Sequence, residues 1–341
     1  MVKIIISGLL LATFLNTTIA QNTTFIEAVS IDTNYIQWVG QFPGCNADTG
    51  KVRFFKKLNE LLFGKKSPEL TKPISLIAES PETFWVLDQG KRTVLSVHKN
   101  VGEIPHFFNK KNMDFPSLVG ICEISHGEIL FTDSYLNKIF HLSTDRKKLI
   151  AINDTLRLEK PTGIAYNKIT NQIWVTDTDA HCILVLNEKG EIIKVIGKRG
   201  INPGEFNFPT FIWIDRFGII YVVDAMNFRV QIFNKEGEFL SLFGEIGDAT
   251  GYLSRPKGIA TDSYGNIYLV DALFHAVQIF DKSGKFLYKF GGQGHENGQF
   301  WLPVGIYIDD KDFIYIADSY NSRIQIFKLI NRDVNEGSGK H

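Results

Sequence analysis

An aspartate closes a short apolar run at positions 88, 133, 177, 224, 271 and 318, so successive copies lie 45, 44, 47, 47 and 47 residues apart. A fixed period of this size marks one supersecondary unit used over and over. The clearest copy spans Phe208 to Gly244. It reads Phe-Pro-Thr-Phe-Ile-Trp-Ile-Asp, then Gly-Ile-Ile-Tyr-Val-Val-Asp, then Arg-Val-Gln-Ile-Phe, then Gly-Glu-Phe-Leu-Ser-Leu-Phe-Gly. Short runs rich in Val, Ile, Phe and Tyr and bounded by Gly, Asp and Asn are strands, not helices. Their short connections make each copy an antiparallel meander of a first, second, third and outer strand.

Such a meander cannot bury both faces by itself. Six of them stacked around an axis bury each against its neighbours and leave only short edges. An open stack would need polar terminal caps, and the sequence offers none. The expected fold is therefore all-β: a six-bladed β-propeller of four-stranded antiparallel blades. The sixth copy has three strands and then turns polar after Phe327. The stretch Lys51–Leu58, which precedes the first complete copy, has the pattern of the missing outer strand. Residues 51–58 are thus expected to pair with the last blade and close the ring. The resulting division is 1–20 signal peptide, 21–50 leader, 51–330 propeller and 331–341 polar tail.

The motifs Pro-x-Gly-Ile-Ala, Gly-x-Ile-Tyr-Val-x-Asp and Arg-Val-Gln-Ile-Phe, each followed by Gly-x-Phe-Leu and Phe-Gly, resemble the NHL repeat. The copies ending in Asp224, Asp271 and Asp318 match best, and the resemblance covers about residues 51–328. Trp174-Val175-Thr176-Asp177 is also similar to the YWTD-type propeller. Membership of the NHL group implies a fold and no single function, because such propellers include enzymes, RNA binders and protein-interaction platforms. The peptidyl-hydroxyglycine amidating lyases of this group carry zinc-ligating His directly after the Pro that opens the first strand. Here those positions hold Ile74, Ser117, Thr162, Thr210, Lys257 and Val304, so that zinc site is not carried over.

Met1-Val2-Lys3, the apolar run Ile4–Leu15 and Thr18-Ile19-Ala20 read as a secretory signal cut after Ala20. The run is shorter than the roughly 20 apolar residues a membrane span needs. The expected product is secreted or periplasmic, with no stable membrane span. Lys plus Arg equals Asp plus Glu, 37 each, which argues against a nucleic-acid partner. The three cysteines form no disulfide framework. Cys122 and Cys182 read as small buried apolar residues, with a bridge between adjacent blades as the alternative. A closed ring has few free edges and predicts a monomer.

In each meander the start of the first strand, the turn between second and third strands and the loop from the preceding outer strand share one end. Six copies place them around one mouth of the central channel. A side chain that recurs there reads as structural, and one that breaks the pattern reads as functional. The six recurring aspartates suit acceptance of turn N–H groups. The pattern-breaking binding-surface candidates are Tyr135, Lys138, His181, Met226, Arg229, Phe274, His275, Tyr320 and Arg323. His181 and His275, each four residues after its Asp, are the weak candidates for a metal pair. They lack a third ligand, so no cofactor is expected. No Gly-x-Ser-x-Gly elbow and no phosphate-binding loop ahead of a helix is present.

Exposed aromatics beside basic residues have the composition of a protein contact surface. The leading expectation is a non-enzymatic scaffold that offers its loop-rich face to a protein or peptide. The alternative is a metal-dependent lyase or hydrolase of the NHL or lactonase type. A third reading is carbohydrate binding through the mouth aromatics.

Overall fold

The computed structural model describes residues 25–26, 34–43, 70–98, 106–108, 114–124, 127–152 and 157–331. These residues form six antiparallel sheets. Blade three shows the plan: Pro161–Asn167, Gln172–Asp177, Cys182–Leu186 and Ile192–Ile196, hydrogen-bonded in chain order. The copies that open at Pro73, Leu118, Pro209 and Pro256 repeat it. The fold is a six-bladed, all-β propeller.

The core is divided among the blade interfaces, as six separate clusters of buried side chains. One of them joins Leu76, Phe84, Val86 and Leu95 of the first blade to Tyr315, Ala317 and Ile324 of the sixth. The ring is closed by side-chain packing between the two ends of the repeat array.

The closing strand differs from the sequence expectation. Asn34–Phe42 pairs antiparallel with Arg323–Asn331, from Asn34 opposite Asn331 to Phe42 opposite Ile324. The other edge of Arg323–Asn331 pairs with Phe313–Asp318, so both its edges are filled. Residues 51–58 lie outside the described residues, and the outer-strand position assigned to them belongs to the leader. The leader strand fits physically. Ile36 is buried between blades five and six, where Trp38 also packs, and Phe42 packs between blades six and one. A register shift between Trp38 and Gly40 separates the two faces. The Trp38 indole N–H also donates to Gln325 Oε1 at 3.1 Å. Gln21–Gly50 lacks the repeat motif because this strand supplies only packing and an edge.

The Gly of Pro-x-Gly-Ile-Ala has a specific task. A Cβ on Gly120 would lie 2.4 Å from the Thr162 carbonyl oxygen, on Gly163 2.5 Å from that of Thr210, and on Gly305 2.4 Å from that of Ile74. At these blades neighbouring first strands meet backbone to backbone and only hydrogen fits between them, whereas blades one and four hold Ser75 and Phe211 at this level. The first-to-second-strand register shifts at the same place in blades one to five. In blade two that register sets Leu118 opposite Asp133, the place Pro161 holds opposite Asp177 in blade three. The position after it is therefore Val119 and not Ser117, and neither is a zinc ligand.

Candidate functional site

All six strand-ending aspartates are buried. Each accepts backbone N–H groups from the segment that leads into its own blade. Asp88 binds the amides of Thr71 and Lys72, Asp177 those of Glu159 and Lys160, and Asp271 those of Ser254 and Arg255. Asp133, Asp224 and Asp318 bind Ser117, Asn207 and Trp301. The carboxylates staple the loop-rich face to the sheets. Asp215, Asp262 and Asp309 do the same for the turns at the opposite end.

Arg229 and Arg323 belong to this framework and not to a contact surface. Both are buried. Arg229 Nε donates to Asp224 Oδ2 at 2.8 Å, and its terminal nitrogens donate to the carbonyls of Ile201, Asn202 and Glu205. Arg323 Nε donates to Asp318 Oδ2 at 2.7 Å, and its terminal nitrogens to the carbonyls of Glu296 and Gln299 and to Gln41 Oε1. Each guanidinium clamps the loop that enters its blade.

His181 and His275 are likewise committed. Nδ1 of His181 accepts the Phe208 N–H at 3.1 Å, and Nδ1 of His275 accepts the Leu302 N–H at 3.1 Å. The ring proton therefore sits on Nε2 in both. Phe208 also packs its ring on His181, with centroids 4.4 Å apart. The residue four after each aspartate, whether Arg92, Asn137, His181, Phe228, His275 or Ser322, has a φ between 51° and 55°. A left-handed residue is what the tight second-to-third-strand turn demands, here in side chains that carry a Cβ. The two histidines serve different blade junctions and do not converge. Among the described residues, no group of three His, Cys, Asp or Glu is close enough to hold a metal ion.

Four of the six turns on this face expose an apolar side chain, while the matching positions of blades one and three hold Gly90 and Asp179. The second residue after the aspartate is Tyr135, Met226, Leu273 and Tyr320 in blades two, four, five and six, with exposures of 76%, 54%, 51% and 57%. In blade five Leu273 holds this position and Phe274 lies one residue further along. Phe274 is half-buried, with the Lys289 ammonium 6.0 Å from its ring centroid. Lys72 lies 5.8 Å from the ring of Tyr320. Lys138 begins a third strand, opposite Asp133. Ile201 and Trp301, on two of the entering loops, are also exposed.

The channel opens a second space that the sequence reading missed. A cavity of about 390 Å³ runs from the glycine level to the turns at the far end. All six first strands and the turns after them line it, with Glu123, Tyr166, Trp213 and Tyr307 on strands and Lys168 and Asp310 on turns. The signal was present: where blades three and five hold Ala165 and Ala260, blades four and six hold Trp213 and Tyr307. Glu123 is half-buried. Loss of solvent pushes its carboxyl above the usual range, Lys168 pulls it back and Glu79 adds to the rise. Lys257 sits just beyond the glycine level, where burial and then Arg255 lower its ammonium pKa and Asp271 opposes them.

Cys122 and Cys182 are both buried free thiols, so no bridge joins blades two and three. Burial pushes Cys182 up to about 11, with Asp177 adding to it. Cys122 rises further, from burial and then Glu123.

With this geometry the class is a β-propeller with repeat-derived staples. Comparison with known families gives the same answer. Residues 153–243 match a 6-bladed beta-propeller domain family, and residues 300–327 match the NHL repeat. The chain is a six-bladed propeller in which residues 300–327 match the NHL repeat. Solved structures of similar fold include virginiamycin B lyase from Staphylococcus aureus, at 17% identity and a TM-score of 0.57 over 77% of this chain and 98% of that one. A gluconolactonase from Xanthomonas campestris is similar at 13% identity and 0.59, over 77% and 87%. A chain of the nidogen/laminin complex is similar at 19% identity and 0.54, over 72% and 86%. At these identities the likeness concerns the fold alone.

Proposed function

We propose that this chain is an exported, non-enzymatic interaction module that binds a protein or peptide on its loop-rich face. The observation that carries the reading is the series Tyr135, Met226, Leu273 and Tyr320. Four large apolar side chains occupy one turn position and are exposed, on turns pinned from beneath by buried aspartates. Exposed apolar residues grouped on a rigid scaffold are what a partner's hot spots engage. The similar fold in the nidogen/laminin complex supports a propeller working in protein assembly. The lyase and gluconolactonase relatives keep the enzymatic alternative in view. It loses its starting point here, because His181 and His275 spend Nδ1 on backbone amides. Export rests on the signal-like segment 1–20.

Selection from a displayed peptide library tests the reading. The full chain should enrich peptides with aromatic or aliphatic anchors. A Tyr135→Ser, Met226→Ser, Tyr320→Ser variant should lose them while keeping its unfolding midpoint. Equal retention by the variant, or no enrichment by the parent chain, would overturn it.

A further inference from the structure

The far-end channel cavity is independent of that face. Trp213 and Tyr307 reach toward each other across blade five, whose matching residue is Ala260, with ring centroids 5.6 Å apart in an edge-to-face arrangement. Trp213 is fixed by its indole N–H, which donates to Thr261 Oγ1 at 2.9 Å. Tyr307 is half-buried, yet its hydroxyl makes no hydrogen bond among the described residues. The same is true of Glu123, which also has no ion pair there. Both polar groups face the cavity and are left available to a molecule that enters it.

The surrounding charge selects the chemistry. Asp310, Glu123, Asp309 and Glu79 all act on the Tyr307 phenol, in that order. Asp309 is occupied by Tyr315 and its own turn, which leaves Asp310, Glu123 and Glu79. On the positive side stand Lys168, which acts on Glu123, and Arg216. The Arg216 guanidinium is drawn away, donating to the Ser263 carbonyl and lying over the Phe217 ring. Carboxylates in excess around two aromatic rings attract a cation through both the ring quadrupoles and the charge. The volume lies in the range of small-molecule sites. No cluster here is close enough for a bare metal ion among the described residues.

We propose that the far-end channel cavity binds a small organic ammonium ion, with the cation against Trp213 and Tyr307 and its charge met by Glu123. Lys168 also lines the cavity, and its positive charge favours a neutral or anionic group at the ligand's other end.

Calorimetric titration of the full chain with choline and with its uncharged isostere 3,3-dimethylbutan-1-ol tests the proposal. Choline should bind about tenfold or more tighter than the alcohol. Glu123→Gln should weaken choline about tenfold and leave the alcohol unchanged. Trp213→Leu should weaken choline as well, with unfolding curves showing that both variants fold. Equal binding of choline and the alcohol, full choline affinity in Glu123→Gln, or no saturable choline binding would each overturn it. None of these results bears on peptide binding at the opposite face, so the two readings fail separately.

Discussion

Nδ1 of His275 accepts the backbone N–H of Leu302 from the next blade, and the reason lies in what Asp318 is already doing. In blades one, three and five the strand-ending carboxylate takes the amide of the residue before the opening proline. In blades four and six Asp224 and Asp318 are engaged by Arg229 and Arg323, by Gln231 and Gln325, and by Asn227 and Asn321. The amide before the proline then needs another acceptor, and the preceding blade supplies a histidine. Arginine in one blade and histidine in the blade before it form one device, used twice.

Replacing His275 or His181 by Ala should therefore leave a backbone N–H unpaired at a blade junction. Each change should cost about 1–3 kcal/mol, read from the shift in urea midpoint at constant slope. A metal pair makes a different prediction: added zinc would stabilise the parent chain and not the variants. Equal midpoints with and without zinc, together with the loss in both variants, are the expected outcome.

The leader strand gives the second prediction. Ile36 is 2% exposed and sits in the same cluster as Ile279, deep in blade five. Ile36→Ala should cost about 2–5 kcal/mol, as a fully enclosed aliphatic side chain does. It should match Ile279→Ala, although the two residues are 243 positions apart (279 − 36). A loss near zero would mean that residues 34–42 contribute nothing to ring closure. Chemical unfolding of the two variants side by side decides it.

How much of this was legible depended on what repeats. The six aspartates and the strand count announce themselves because every blade needs the same turn and the same pairing, and the Pro-x-Gly step because several blades share the same close backbone approach. The closing strand did not, because Ile36, Trp38 and Phe42 need only fill two interfaces and hydrogen-bond one edge. Lys51–Leu58 carries the better strand pattern, and pattern alone does not say which stretch reaches the gap. Arg229 and Arg323 stand five residues after their aspartates, a spacing that already suggests pairing with that turn, but sequence does not show the carbonyls of Ile201, Asn202, Glu205, Glu296 and Gln299 gathered around the two guanidinium groups. The far-end cavity was hidden for a related reason. Trp213 and Tyr307 become neighbours only when blades four and six face each other across an alanine.

Glu123 supplies the last prediction, which concerns stability and needs no ligand. Its folded-state pKa is raised, first by desolvation, and Lys168 only partly offsets this. A raised folded pKa means the neutral form is the one the fold prefers. The contribution is favourable below the unfolded carboxyl pKa and is lost as pH rises through the folded value. Glutamine keeps the shape and carries no charge to desolvate. Glu123→Gln should thus match the parent chain in acid and become the more stable of the two as pH climbs past the ordinary carboxylate range. Unfolding midpoints measured from pH 3.5 to 7.5 should diverge in that direction, with a gap kept small by the partial exposure of the side chain. Parallel curves would mean that the carboxyl is solvated like any surface glutamate, and a parent chain favoured at neutral pH would mean that Lys168 outweighs the burial.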